Sequence, residues 1–175
     1  MTAGDDERRA RVDDARPRLL IADDDPVARA VLTSGLTAFR VVALAKDATE
    51  AIELSERYRP DLALIDVDMP GGGAHEAVRR IARCSPQTSM VILSVDETRS
   101  DVVELLNAGA VAYRRKGTTA AELSFVLCDA LRAKDGAGIE LSRALTAALR
   151  ARAHAVSAAV SVREPVPVPS ATTAR

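Results

Sequence analysis

Short apolar runs alternate with amphipathic stretches through the middle of the chain, five times in succession. The five runs are Leu19–Ala22, Val41–Leu44, Leu62–Ile65, Met90–Leu93 and Ala110–Tyr113. Each run is apolar on consecutive positions, which is typical of a strand covered on both faces. The stretches that follow the runs repeat their apolar positions at helical spacing and cover residues 26–38, 47–58, 74–83, 99–107 and 119–133. The pattern therefore predicts five βα units.

Five consecutive βα units predict an α/β fold, because right-handed crossovers place helices on both faces of a parallel sheet. We expect a flavodoxin-like, doubly wound sheet of five parallel strands over residues 18–133. In such sheets, ligands bind outside the carboxyl ends of the strands, where the strand order reverses. Functional side chains should therefore follow the apolar runs directly.

The two ends of the chain differ from its middle in composition. Residues 1–17 mix acidic residues with arginines and contain few large apolar side chains, so they predict a disordered charged leader. Residues 134–138 form a glycine-containing joint, and residues 163–175 form a proline-rich, disordered tail. Between these, residues 139–162 predict an extra C-terminal amphipathic helix whose apolar side carries Leu141, Leu145, Leu149, Val156 and Val160.

The C-terminal helix leaves two interpretations open. Its apolar positions recur at nearly heptad spacing, which favours homodimerisation or docking onto a partner. The stripe is rich in alanine and is interrupted at Arg152, which equally fits a helix that packs back on its own domain.

Charge and hydropathy exclude several classes of function. The chain has 24 basic and 25 acidic side chains, a net charge of −1, so it lacks the positive field that supplies most nucleic-acid affinity. We therefore do not expect a nucleic-acid partner. No run approaches the roughly 20 apolar residues of a membrane span, and the charged N-terminus lacks the apolar core of a signal peptide. We expect a cytoplasmic protein without a membrane segment.

Polar residues follow four of the five apolar runs. They are Asp23, Asp24 and Asp25 after the first run, Asp66 and Asp68 after the third, Ser94 after the fourth and Lys116 after the fifth. Carboxylates that converge at one sheet edge repel each other, and Mg²⁺ with oxygen ligands would neutralise them. A carboxylate beside such a cation can attack a phosphoryl donor to give an acyl phosphate. A hydroxyl and an ammonium would then share the phosphoryl oxygens with the metal.

Four motifs in order resemble the receiver domain of two-component response regulators, the CheY-like domain. They are L-L-I-A-D-D-D-P (19–26), P-D-L-A-L-I-D-V-D-M-P-G (60–71), V-I-L-S (91–94) and A-G-A-V-A-Y-R-R-K-G (108–117). The resemblance covers the chain from about Arg18 to Leu131. The K-G pair that ends the last motif resembles receivers of the NarL/LuxR class.

The resemblance implies a role for each polar residue. It implies that Asp66 is the phosphoacceptor. It also implies that the ligands of Mg²⁺ are the carboxylates of Asp23, Asp24 and Asp66 and the backbone carbonyl of Asp68. Ser94 and Lys116 would contact the phosphoryl group, and Tyr113 would be the aromatic residue that moves with Ser94. The resemblance also implies a sensor histidine kinase or phosphotransfer protein as donor, a downstream protein target, and a signalling role rather than a metabolic enzyme.

Simpler interpretations exist for some of these residues. Asp25, which precedes Pro26, has the character of a helix N-cap. Tyr113 would also fit a half-buried strand residue without a switching role. Val95 stands where receivers usually carry a smaller residue, and it could crowd the phosphoryl site. Two other functions remain open: a receiver fold without phosphotransfer, and a DNA-binding regulator that acts through the C-terminal helix. The short segment after Gly138 argues against a helix-turn-helix effector within this sequence.

Overall fold

The computed structural model describes residues 15–95 and 99–134, and these ranges contain five strands and five helices. The strands are β1 (Arg18–Ala22), β2 (Arg40–Ala45), β3 (Leu62–Asp66), β4 (Ser89–Ser94) and β5 (Ala112–Arg115). The helices are α1 (Pro26–Gly35), α2 (Ala48–Tyr58), α3 (Gly73–Cys84), α4 (Arg99–Ala108) and α5 (Ala120–Lys134). Among these helices, none has the length and apolar character that crossing a membrane requires.

Four segments predicted from the sequence fall wholly or mostly outside the described residues. These are the leader at 1–17, of which only 15–17 are described, and the joint at 134–138, of which only Lys134 is described. The C-terminal helix at 139–162 and the tail at 163–175 lie entirely outside. The assignments made for them remain predictions.

All five strands lie parallel in one sheet with the order β2-β1-β3-β4-β5. The chain goes from β1 outward to β2 and then crosses back to place β3 on the other side of β1. The strand order therefore reverses between β1 and β3, whose ladder runs from Leu19 opposite Leu62 to Ala22 opposite Ile65. This is the predicted flavodoxin-like, doubly wound fold, and its switch point is the gap between the carboxyl ends of β1 and β3.

The sheet separates two hydrophobic clusters. Successive side chains of a strand point to opposite faces, so Leu20 and Ala22 join one cluster while Leu19 and Ile21 join the other. The first cluster includes residues of α2, α3 and α4, and the second includes residues of α5. Every residue of β3 and β4 is buried, because helices cover both faces of these central strands. This double coverage is the physical reason for the uninterrupted apolar runs in the sequence.

Two elements, β5 and α1, differ from the prediction by more than one residue at an end. Strand β5 was expected at 110–113, but it begins two residues later, after the amide of Val111 donates to the carbonyl of Met90 at 2.8 Å. The strand then continues through Arg114 and Arg115, which are exposed because β5 is an edge strand. The apolar run therefore overlaps β5 only at Ala112 and Tyr113. Helix α1 ends at Gly35, three residues before the predicted end at 38.

The connection between β3 and α3 is a glycine turn. Gly71, Gly72 and Gly73 have φ values of 81°, 98° and 66°, in the left-handed region that other residues rarely adopt. The turn is fixed to the neighbouring unit because the amide of Ala48, the first residue of α2, donates to the carbonyl of Pro70 at 3.0 Å. The loop after Asp66 therefore has a defined path along the carboxyl edge of the sheet.

A pair of valine substitutions tests the assignment of the core. Val78 in α3 is fully buried, whereas Val31 in α1 is 63% exposed, and both lie in helices. We expect Val78→Ala to lower the free energy of unfolding by about 1.5–3 kcal/mol through lost apolar burial and the cavity that remains. Val31→Ala should change it by less than about 0.5 kcal/mol. Urea denaturation measures both, and equal losses for the two variants would contradict the assignment.

Candidate functional site

Three carboxylates meet at the switch point of the sheet. Asp23 directly follows β1 and Asp66 is the last residue of β3, so the pairing of these two strands brings the residues side by side. One oxygen each from Asp23, Asp24 and Asp66 lies within 4.8 Å of the others. Asp23 and Asp66 are 2% and 1% exposed, whereas Asp24 faces solvent. The site is therefore a buried acidic pair with a third carboxylate at its mouth.

Lys116 forms ion pairs with both buried carboxylates. Its ammonium lies 2.8 Å from Oδ2 of Asp66 and 3.2 Å from Oδ2 of Asp23. The residue follows β5, and its backbone amide donates to the carbonyl of Ser94 at 2.7 Å. This bond fixes the β5–α5 turn on the end of β4, from where the long side chain reaches β3 and β1. The ends of three strands, β1, β3 and β5, thus contribute to one cluster of charges, and the end of β4 fixes the backbone of Lys116.

The turn between β1 and α1 is built from hydrogen bonds of its own side chains. Oδ1 of Asp23 accepts from the amide of Asp25 at 2.9 Å, and Oδ1 of Asp25 accepts from the amide of Val27 at 2.8 Å. Asp25 is therefore the N-cap of α1, ahead of Pro26, as its position in the sequence predicted. These bonds direct the second oxygen of Asp23 toward Lys116.

The two oxygens of Asp66 have different surroundings. Oδ1 accepts a hydrogen bond of 3.3 Å from the amide of Asp68. Oδ2 is buried, and it contacts the Lys116 ammonium at 2.8 Å. Among the described residues, Oδ2 has no partner other than this ammonium. A buried, charged oxygen in this state is open to a further electropositive partner.

Burial dominates the electrostatics of the site. Burial raises the pKa of Asp66 above its ordinary value, the Lys116 ammonium opposes this shift, and the Asp23 carboxylate adds to it. For Lys116, burial lowers the pKa, but the carboxylates of Asp66 and Asp23 together outweigh burial and leave the pKa raised. Lys116 therefore stays cationic wherever it holds both carboxylates.

The other predicted site residues lie around this cluster. Ser94 is buried at the end of β4, next to β3, where Asp66 pairs with Leu93. Tyr113 lies in β5 opposite Ile92 and is half-buried against the cluster that contains α3 and α4 residues. Asp68 is exposed in the loop after β3. The structure thus groups Asp23, Asp24, Asp66 and Lys116 in direct proximity. Ser94 lies at the adjacent end of β4, and Tyr113 lies two residues before the end of β5.

Sequence reasoning missed one residue of this region. Arg29, in the first turns of α1, donates from Nη1 to the carbonyls of Asp23 at 2.6 Å and of Asp24 at 3.2 Å. Its position four residues after the N-cap was the available signal, because that spacing returns a side chain to the start of the helix. Arginine at a helix surface is so common that the spacing alone did not distinguish it.

The residues present fit a small, hard divalent cation. Three carboxylates offer oxygen atoms within 4.8 Å of one another, and in the described part of the chain the buried Oδ2 of Asp66 has no partner other than the Lys116 ammonium, which it shares with Asp23. Mg²⁺ prefers oxygen ligands, is typically held by one or two carboxylates, and retains several waters. The exposed position of Asp24 leaves the mouth of such a site open to water.

The fold and the acidic site define a class of protein, and comparison with known sequences identifies it. The sequence model of the response regulator receiver domain matches residues 19–128. The chain therefore belongs to this family, and it contains a CheY-like receiver domain of a two-component system that serves phosphorylation-dependent signalling. The resemblance seen in the four motifs is confirmed.

Individual relatives agree with this assignment. The response regulator GacA of Pseudomonas viridiflava is 34% identical over 109 residues, which cover 61% of this chain and 51% of that protein. This chain thus spans about half the length of that relative. A solved LuxR-family response regulator from Aurantimonas sp. SI85-9A1 is 29% identical with a TM-score of 0.62, over 67% of this chain and 86% of that chain. A CheY-like receiver from Methanospirillum hungatei JF-1 shares the fold, with a TM-score of 0.65 over 70% and 98% of the two chains at 23% identity.

Removing the charge of Asp66 should stabilise the fold. The pKa of Asp66 is raised in the folded state, so folding favours the protonated form of this carboxyl group over the ionised form. The stability that this preference provides is fully present below the unfolded pKa and is lost as the pH rises through the folded pKa. At neutral pH we expect Asp66→Asn to raise the free energy of unfolding by on the order of 1 kcal/mol. The gain should shrink as the pH falls and Asp66 of the wild type becomes neutral.

Urea denaturation in the presence of a chelator, from neutral to mildly acidic pH, measures this gain. Asp129→Asn is the control, because Asp129 lies on the exposed side of α5 and its substitution should have little effect. A loss of stability in Asp66→Asn at neutral pH would contradict the electrostatic description of the site.

Proposed function

We propose that this receiver accepts a phosphoryl group on Asp66 from a sensor histidine kinase or a phosphotransfer protein, in a Mg²⁺-dependent reaction, and signals through protein–protein contacts. The observation that carries the proposal is the Lys116 ammonium paired with both Asp23 and Asp66 where three carboxylates meet. A structural ion pair would need one carboxylate for one ammonium. A surplus of buried negative charge at a sheet edge is instead suited to binding further positive charge.

Four groups would hold the cation. They are the carboxylates of Asp23, Asp24 and Asp66 and the backbone carbonyl of Asp68. When bound, Mg²⁺ supplies charge neutralisation for the carboxylates and for the oxygens of the incoming phosphoryl group. The hydrogen bonds from Asp25 to Asp23 and from Asp68 to Asp66 leave one oxygen of each buried carboxylate directed into the site.

The chemical step is a transfer between nucleophiles. An oxygen of the ionised Asp66 carboxylate forms a bond to phosphorus, and the bond between phosphorus and the donor's imidazole nitrogen breaks with its electron pair on that nitrogen. The product is an acyl phosphate, and the carboxylate loses no proton because it reacts as the anion. Lys116 supports this step because its ammonium lowers the pKa of Asp66 against the effect of burial.

Ser94, Lys116 and Tyr113 would respond to the new group. The Lys116 ammonium is already within 2.8 Å of Asp66 Oδ2, so it can pair with a phosphoryl oxygen after a small movement. The hydroxyl of Ser94, at the adjacent strand end, would donate to another phosphoryl oxygen. Tyr113 lies beside β4 and packs on the layer of α3 and α4, so a shift of Ser94 can alter its packing and thereby the outer surface. A partner protein would recognise this altered surface.

Small-molecule phosphorylation tests the proposal. Incubated with acetyl phosphate and Mg²⁺, the wild-type chain should gain the mass of one phosphoryl group, because the site itself positions and neutralises the reactants. Asp66→Asn should gain none, and a chelator should abolish the gain in the wild type. Intact-mass spectrometry measures all three.

The control for this experiment is Asp129→Asn, which makes the same change at an exposed position on α5 and should be phosphorylated like the wild type. A wild-type chain that remains unmodified under these conditions would instead support a receiver fold without phosphotransfer. Equal modification of Asp66→Asn would place the acceptor elsewhere.

A further inference from the structure

The turn that carries Asp23 and Asp24 is held from outside by one side chain of α1. Nη1 of Arg29 lies 2.6 Å from the carbonyl oxygen of Asp23 and 3.2 Å from that of Asp24. Both bonds go to the backbone carbonyls of the acidic residues. Arg29 is half-buried, and its own amide donates to the carbonyl of Asp25 at 3.1 Å, in the first turn of the helix.

Helix α1 has few other anchors. None of its residues from Pro26 to Gly35 is buried, and its large side chains Val27 and Val31 are exposed. It packs on the core through half-buried Leu32 and through its C-cap residue, Leu36. Near the acidic turn, the helix is therefore held mainly by the Asp25 cap and by the two bonds of Arg29. Segments with so little burial open at low free-energy cost.

We propose that Arg29 is a positioning residue for the cation site and that it links cation binding to the order of α1, an inference that rests on the function proposed above. Its donor fixes the backbone of the turn and thereby the two carboxylates that this turn presents. Partners that orient ligands without touching the metal commonly have large effects on metal affinity. Since the link is thermodynamic, it acts in both directions: cation binding must also stabilise the Arg29 contacts and the first turns of α1.

Positioning and charge have opposite effects here, which makes the inference testable. The positive charge of Arg29 repels a cation, so its removal alone would tighten Mg²⁺ binding. The loss of two backbone contacts would loosen the turn and weaken binding. The guanidinium is half-exposed and lies on the carbonyl side of the turn, so solvent screens its repulsion while the hydrogen bonds are short and direct. Positioning should therefore dominate.

Calorimetric titration of the full chain with MgCl₂ measures the effect. Arg29→Ala should raise the dissociation constant about tenfold. Arg29→Lys should stay within about twofold of the wild type, because both contacts come from a single donor nitrogen that an ammonium can replace. Arg132→Ala removes the same charge from the exposed side of α5 and should leave the dissociation constant unchanged.

Amide hydrogen exchange supplies a readout that a simple loss of helix stability would not reproduce. In the wild type, Mg²⁺ should slow exchange in α1, whereas in Arg29→Ala exchange in α1 should be fast and nearly independent of Mg²⁺. If Arg29 only stabilised the helix, the variant would exchange faster but would keep the full response to Mg²⁺, and the inference would be overturned. If Arg29→Ala folds poorly, Arg29→Met removes the same donor while it retains the aliphatic stem, and the same comparison applies.

The outcomes separate this inference from the proposed function. If the wild type binds Mg²⁺ and Arg29→Ala binds it equally well or more tightly, the inference fails and the proposed function stands. If the wild type binds no Mg²⁺ at all, the proposed function and this inference both fail.

Discussion

The structure depends on the confinement of two like charges at the ends of adjacent strands. Asp23 and Asp66 are both buried, and they face a single ammonium, that of Lys116. Burial opposes the ionisation of Asp66 and the Asp23 carboxylate adds to this effect, so the site is under electrostatic tension that one cation relieves only in part. This imbalance favours the binding of further positive charge at the sheet edge, which is what the proposed function requires.

The sheet topology creates this confinement. Because β3 crosses to the far side of β1, two strands that are separated by a whole βα unit in the sequence end side by side. Lys116 reaches the pair from β5, past the end of β4, and its backbone is fixed there by the carbonyl of Ser94. Short loops with defined hydrogen bonds, such as the Asp25 cap and the Gly71–Gly73 turn, then fix the backbone near the site residues. The site belongs to the sheet as a whole and not to any one loop.

Much of this arrangement could be predicted from the sequence, for reasons that are visible in the structure. The fully buried strands β3 and β4 are apolar except at their ends, and the polar residues at their carboxyl ends must lie at the carboxyl edge of the sheet. What could not be predicted depends on tertiary contacts. Asp23 and Asp24 are identical in the sequence, yet one is buried and the other exposed. The start of β5 depends on its register with Met90. The role of Arg29 depends on which backbone carbonyls its long side chain reaches in the folded protein.

The sheet divides the interior into two clusters, and this division constrains how the sequence can evolve. Neighbouring residues of β1 belong to different clusters, Leu20 and Ala22 to one and Leu19 and Ile21 to the other, so the two packed layers share backbone but hardly any side chains. Volume lost in one layer must be compensated within that layer, because close packing allows little adjustment across the sheet. During evolution, compensating substitutions should therefore occur mainly within one hydrophobic cluster or the other. Substitutions in the two clusters should depend on each other only where a strand itself shifts.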